Sequence, residues 1–184
     1  MKRLILFIAI IGFGTQITTA QKLLCRNGHV WFFSSTSVED IEAHNKQASG
    51  IINTENGEVL VSVLMKSFEF EKALMQEHFN ENYIESGKFP KGKFKGKITN
   101  PDEVDFSKDG EYKAQVKGTL TIHGVDKEVE TPVSITVSGD KTQVKGKFVT
   151  SPADFEIEIP SVVKDKIAKQ LDVNIDMSFS PYKK

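Results

Sequence analysis

Cysteine occurs once in the 184 residues, which excludes an internal disulfide framework and any zinc cage built on thiolates. Histidine is nearly as scarce: His29, His44, His78 and His123 are widely separated and form no HExxH or related spacing. Only two arginines are present, Arg3 and Arg26. Charge of one sign is not in excess either, with 24 basic against 25 acidic side chains, so no global field draws the chain onto nucleic acid. A GxSxG elbow, a GxGxxG loop and a Walker loop are all missing, and Cys25 has no neighbouring histidine. No catalytic residue, metal ligand or cofactor is expected from this inventory. Carboxylate pairs such as Glu69 with Glu71 or Glu156 with Glu158 read as solvated surface groups.

One long apolar run is present, at the start. Lys2 and Arg3 precede LILFIAIIGF (Leu4 to Phe13), and GTQITTA follows, ending in small residues at Thr18 and Ala20. An apolar run this short falls well below the roughly 20 residues a bilayer needs, so the pattern is that of a secretory signal peptide cleaved near Ala20. Residues 21–184 then form a single domain, periplasmic or secreted, with 22 basic against 25 acidic groups. Outside the cytoplasm Cys25, beside Leu23 and Leu24, reads as a small buried hydrophobe.

The remainder alternates. In LDVNIDMSF, residues Leu171, Val173, Ile175, Met177 and Phe179 interleave with polar ones, the signature of a half-buried strand. The same reading gives strands over 29–36, 47–54, 58–66, 93–100, 112–123, 125–137 and 143–150, eight in all. Asn56-Gly57, Asp109-Gly110, His123-Gly124 and Gly139-Asp140 mark tight turns, so the fold class is all-β: an antiparallel meander whose eight strands close into a barrel. Pro132 lies inside one strand and predicts a bulge or break. Two longer connections read as short helices. Glu71 to Asn82 places Leu74, Met75, His78 and Phe79 on one face, and Ser161 caps a second helix over 161–170 with an Asp165–Lys169 pair.

The stretch LMQEHFNENYIESGKFPKGKFKGKI (Leu74 to Ile98), then YKAQVKGTLTIHGVDKEVETPVSI (Tyr112 to Ile135), then DFEIEIPS, resembles the YceI-like proteins in the order and spacing of its HF pair, KFP and TIHGV motifs. The resemblance implies an extended, lipocalin-like barrel that binds a long isoprenoid lipid, such as a quinone or polyprenyl chain, in its interior. The partners it implies are that lipid and transient contact with a membrane or membrane protein during loading, without nucleic acid. Two alternatives remain: a surface interaction or stress-related module with a side-chain-filled barrel, and an enzyme acting on an isoprenoid lipid.

On that resemblance the expected lumen wall is the apolar phase of the strands: Phe94, Ile98, Val116, Gly118, Leu120, Ile122, Val133, Ile135, Phe148, Val173, Ile175, Met177 and Phe179. Gly96, Gly118 and Gly146 fall in that phase, either leaving room for a slim tunnel or permitting sharp coiling of the sheet. Leu74, Met75 and Phe79 form an expected lid. With Arg26 the one arginine after the leader, a phosphate clamp is not expected. A neutral headgroup held by Ser34, Thr121 or Asn174 is.

Overall fold

The computed structural model describes residues 22–182; the predicted signal peptide lies outside them. The strands are β1 (Lys22–Ser35), β2 (Asp40–Asn53), β3 (Glu58–Leu64), β4 (Glu69–Phe70), β5 (Lys91–Ile98), β6 (Gly110–Ile122), β7 (Val125–Ser138), β8 (Lys141–Thr150) and β9 (Leu171–Pro181). All pairings are antiparallel in the order β1-β9-β8-β7-β6-β5-β3-β2, and β2 pairs back onto β1 to close the barrel. The two-residue β4 is an extra piece on β2. No helix among the described residues is long and apolar enough to cross a membrane.

The first two strands are longer than their alternation suggested, for a local reason. Buried positions on β1 run Leu23 and Cys25, then Gly28 and Val30; on β2 they run Ala43 and Asn45, then Ala48 and Gly50. Each strand therefore inserts one extra residue, and the β1–β2 register shifts at Gly28. A bulge resets the period of two and hides the upstream half of the strand. Buried Asn45 stabilises this region: its side chain donates to the Leu64 carbonyl at 2.8 Å and accepts from the Gln47 amide at 2.9 Å.

The tight turns follow their glycines, with φ of 69° at Gly57, 78° at Gly124 and 54° at Gly139. His123 joins them at φ 53°, so the two-residue turn His123-Gly124 has both central residues left-handed, as the twist of a hairpin requires. Asp109-Gly110 is not a hairpin turn. The connection from β5 to β6 runs over 99–109 with a 3₁₀ turn at Pro101–Glu103, and the Asp109 carboxylate instead accepts from the Gly139 amide at 2.8 Å.

Pro132 neither breaks nor bulges β7, which pairs with β6 without interruption from Gly110↔Val137 to Ile122↔Val125. Its effect falls on the other edge, where pairing with β8 begins only at Val133↔Gly146. A residue with no N–H stands where that ladder ends, and Thr131 Oγ1 donates to the Lys147 carbonyl across the gap at 2.9 Å. On the far side of the barrel β3 pairs with β2 only over Ser49 to Ile52, before β4 replaces it at Ala43 and His44. The closed sheet thus splays at one end into two halves, β2-β1-β9-β8 and β7-β6-β5-β3.

The two long connections both lie at that splayed end. The first carries α1 (Ala73–His78), continued by a wider π-helical turn over Phe79–Tyr83. The second contains no α-helix. Residues 151–170 form 3₁₀ turns at Pro152–Phe155 and Ser161–Val163; Ser161 makes no cap, whereas Ser151 Oγ accepts from the Ala153 amide at 3.3 Å. A helix this short, starting on two β-branched valines, has little stability of its own, and the chain follows an irregular path that turns Ile157, Ile159, Val163 and Ile167 inward.

Candidate functional site

The opposite end is sealed by Met177, Phe179 and Ile135, each almost fully buried. Glycines permit that seal: a Cβ on Gly28 would lie 2.7 Å from Met177 Cγ, and one on Gly50 2.9 Å from Met177 Cε. Cys25 is buried in the same region, where loss of water pushes its thiol pKa up. Between this floor and the splayed end lies a cavity of about 610 Å³ with an overwhelmingly apolar wall.

Twelve of the thirteen positions expected in the lumen line this cavity: Phe94, Ile98, Val116, Leu120, Ile122, Val133, Ile135, Phe148, Val173, Ile175, Met177 and Phe179. Gly118 does not. It faces Gly96 across β5 and β6, and a Cβ there would lie 2.3 Å from both Gly96 Cα and the Lys95 carbonyl oxygen. This glycine serves close approach of two strands, and the space over Gly96 is filled by the Phe94 ring, 2.5 Å from where its Cβ would be. The tunnel comes from the splay, not from these glycines. The wall also includes Val61, Val63, Met65 and Phe68 on and after β3, where exposed Leu60 and Leu64 make the opposite phase apolar as well and blur the alternation.

Leu74, Met75 and Phe79 border the cavity at its splayed end. Phe79 is held in a cluster of four rings, with centroids 5.8 Å from Phe32, 5.5 Å from Phe68 and 5.1 Å from Phe70. Just before α1, Lys72 Nζ lies 2.6 Å from Glu39 Oε1 in the β1–β2 turn; this hydrogen bond raises the Lys72 pKa and, with a smaller pull from Lys166, holds the Glu39 carboxyl below its ordinary range. The second connection is tied to the same region: Ser34 Oγ, fully buried, accepts from the Ala168 amide at 2.9 Å.

His123 joins both connections to the β6–β7 hairpin. Its Nδ1 lies 3.1 Å from the Phe155 carbonyl, and its Nε2 lies 2.8 Å from Glu85 Oε2. Both partners are acceptors, so the ring donates to one when neutral and to both when protonated. The contact depresses the Glu85 pKa. Phe89 stacks edge-on at 4.6 Å from His123, and a Cβ on Gly124 would lie 2.6 Å from that ring. The KFP, HGV and DF motifs therefore meet in one clamp. The other histidines lie elsewhere: His78 Nδ1 faces Asn82 Oδ1 at 3.0 Å, and His29 Nε2 faces His44 Nδ1 at 3.0 Å beside Trp31.

Of the expected headgroup partners only Ser34 borders the cavity. Thr121 Oγ1 donates to Asp126 on the outer face at 2.6 Å, and Asn174 sits in the outward phase opposite Trp31 and Lys147. Both were expected from the polar phase of strands whose apolar phase points in, and that phase faces away from the lumen. Arg26 is exposed on the β1 bulge, at the end remote from the opening.

A closed antiparallel barrel with an apolar interior open at one end is a lipocalin-like architecture. The chain belongs to the YceI-like family: the model of the YceI-like domain matches residues 22–179. Among solved structures it is similar to a polyisoprenoid-binding domain from Saccharophagus degradans implicated in plant cell wall breakdown, at 15% identity and a TM-score of 0.77, covering 89% of this chain and 100% of that one. It also resembles BcnA of Burkholderia cenocepacia (16% identity, TM-score 0.67, 82% of this chain and 95% of that one). A third likeness is a Campylobacter jejuni YceI protein (17%, TM-score 0.60, 77% and 85%). No curated protein sequence matches the chain.

Proposed function

We propose that this chain is a carrier for a long apolar lipid of isoprenoid type, a quinone or polyprenyl chain, held inside the barrel. The observation that carries the reading is the cavity of about 610 Å³, apolar along its wall, sealed at one end and bordered by two tethered connections at the other. The polyisoprenoid-binding relative supports the same class of ligand. A side-chain-filled barrel would leave no such space. At about 25 cal/mol per Å² of apolar area removed from water, an isoprenoid tail contributes several kcal/mol before ordering costs, enough for binding without a charged clamp. The headgroup is neutral, with Ser34 the hydroxyl within reach. The twelve lining side chains form the tail site, and Leu74, Met75 and Phe79 cover it. The enzyme alternative finds less support, because the wall offers a surface for burial instead of a nucleophile paired with a base. The N-terminal apolar leader directs the protein to the periplasm or exterior, with cleavage near Ala20.

Organic extraction of natively purified protein, followed by mass spectrometry, tests this. The expected result is a neutral isoprenoid lipid at close to one per chain. An empty extract, together with failure of the protein to take up a fluorescent polyene probe, overturns the reading.

A further inference from the structure

The open end of the barrel is also where exposed apolar side chains collect. Of the eight exposed large hydrophobics among the described residues, Val38, Leu64, Leu74, Val149 and Val162 lie in or next to its connections. Val38 sits in the β1–β2 turn at 60% exposure, Leu74 on α1 at 61%, and Val162 in the 151–170 connection, beside the inward Val163, at 86%. The far end differs. Its turns at 54–57, 99–109 and 139–140 present Glu55, Asn56, Asp102, Glu103, Asp109 and Asp140; of the other three exposed hydrophobics, Tyr182 lies at this end, and Ile51 and Leu60 face each other on β2 and β3 just above the 54–57 turn. Single exposed hydrophobics are ordinary, but five gathered around the rim of an apolar cavity form a patch.

We infer that this rim docks on a lipid bilayer, with Val38, Leu74 and Val162 entering the interfacial layer so that the cavity opens onto the acyl region. The inference rests on the carrier reading and adds the surface from which the lipid is taken. Charge selects the kind of bilayer. The connections at this end, residues 36–39, 65–90, 123–124 and 151–170, carry six lysines against ten carboxylates, so an anionic surface repels them. The partner is a zwitterionic bilayer, met by apolar insertion and little affected by salt. The rim is also pre-shaped: Thr36 Oγ1 accepts from the amides of Val38 and Glu39, each at 3.1 Å, holding the Val38 tip in its turn.

The test is flotation of the mature protein with phosphatidylcholine vesicles, with and without added phosphatidylglycerol, at low and high sodium chloride. Wild type is expected to float with phosphatidylcholine at both salt concentrations and less well once phosphatidylglycerol is added. The Val38→Ser/Val162→Ser variant, altered only at exposed positions outside the cavity wall, is expected to partition about tenfold or more weakly while taking up a polyene probe as wild type does. Should the double variant fold poorly, Val162→Ser alone provides the comparison. Flotation that needs phosphatidylglycerol and vanishes in salt, absence of flotation, or flotation unchanged in the variants overturns the docking proposal. Loss of probe uptake by wild type overturns the carrier reading instead, so the two failures are distinct.

Discussion

Gly96 and Gly118 stand opposite each other on β5 and β6, so close that a Cβ on Gly118 would lie 2.3 Å from the Gly96 Cα. The backbone of β5, and not the lumen, occupies the space a side chain would need. Gly118→Ala is therefore expected to destabilise the barrel by about 1–3 kcal/mol through overpacking, visible in urea unfolding, with no gain in lumen filling. Val116→Phe adds volume at a true wall position and is expected to reduce lipid occupancy. Normal stability of Gly118→Ala would refute this account of the glycine pair.

His123 ties the β6–β7 hairpin to Glu85 in one connection and to the Phe155 carbonyl in the other. His123→Asn keeps a residue that tolerates positive φ while removing both bonds. It is expected to cost about 1–3 kcal/mol, the range for leaving a buried acceptor unpaired, and to speed release of a bound probe by loosening the splayed end. If stability falls while the release rate stays at its wild-type value, the clamp holds the fold but does not govern the opening.

His29 gives a pH dependence. Its pKa is lowered chiefly by burial and then by the nearby His44 and Lys46, while Asp176 on β9 and Glu42 on β2 act weakly the other way. A histidine whose folded pKa lies below its unfolded one binds its proton more readily in the unfolded chain. Stability is thus intact above the ordinary histidine pKa of about 6.5 and declines as the pH falls through that value toward the folded pKa. His29→Gln is expected to flatten the slope of unfolding free energy between pH 7.5 and 5. An unchanged slope in the variant would assign the dependence to other groups.

The barrel and most of the cavity wall were legible because period-two alternation and positive-φ turn residues act locally; β6 and β7 show both, and β9 shows the alternation without interruption. The upstream halves of β1 and β2 were hidden because the bulges near Gly28 and Lys46 shift the phase. Pro132 announced a disturbance, but its consequence, the end of the β7–β8 ladder, belongs to a strand contributed from elsewhere in the chain. The same limit applies to His123. The turn at His123-Gly124 was readable from two residues, whereas the clamp needs Glu85 and Phe155, separated from His123 by 38 and 32 positions. The predicted second helix failed because a short segment that starts on two β-branched valines and lacks a Ser161 cap has too weak a local preference to hold it.

Ser34 and Glu39 hold the two connections from one hairpin: Ser34 Oγ takes the Ala168 amide at 2.9 Å, and Glu39 pairs with Lys72 at 2.6 Å. These contacts differ in kind. Ser34 is buried, so Ser34→Ala leaves an amide without its partner and is expected to cost about 1–2 kcal/mol while freeing the 151–170 connection. The Glu39–Lys72 pair keeps its lysine in solvent, so Lys72→Gln is expected to change the melting temperature little. Its effect should appear in kinetics, as faster transfer of a bound probe to acceptor vesicles, and 0.5 M salt should produce the same acceleration in wild type by screening the pair. Transfer rates that respond to Ser34→Ala but to neither Lys72→Gln nor salt would place the moving cover on the 151–170 connection and make α1, anchored through Phe79, the fixed wall.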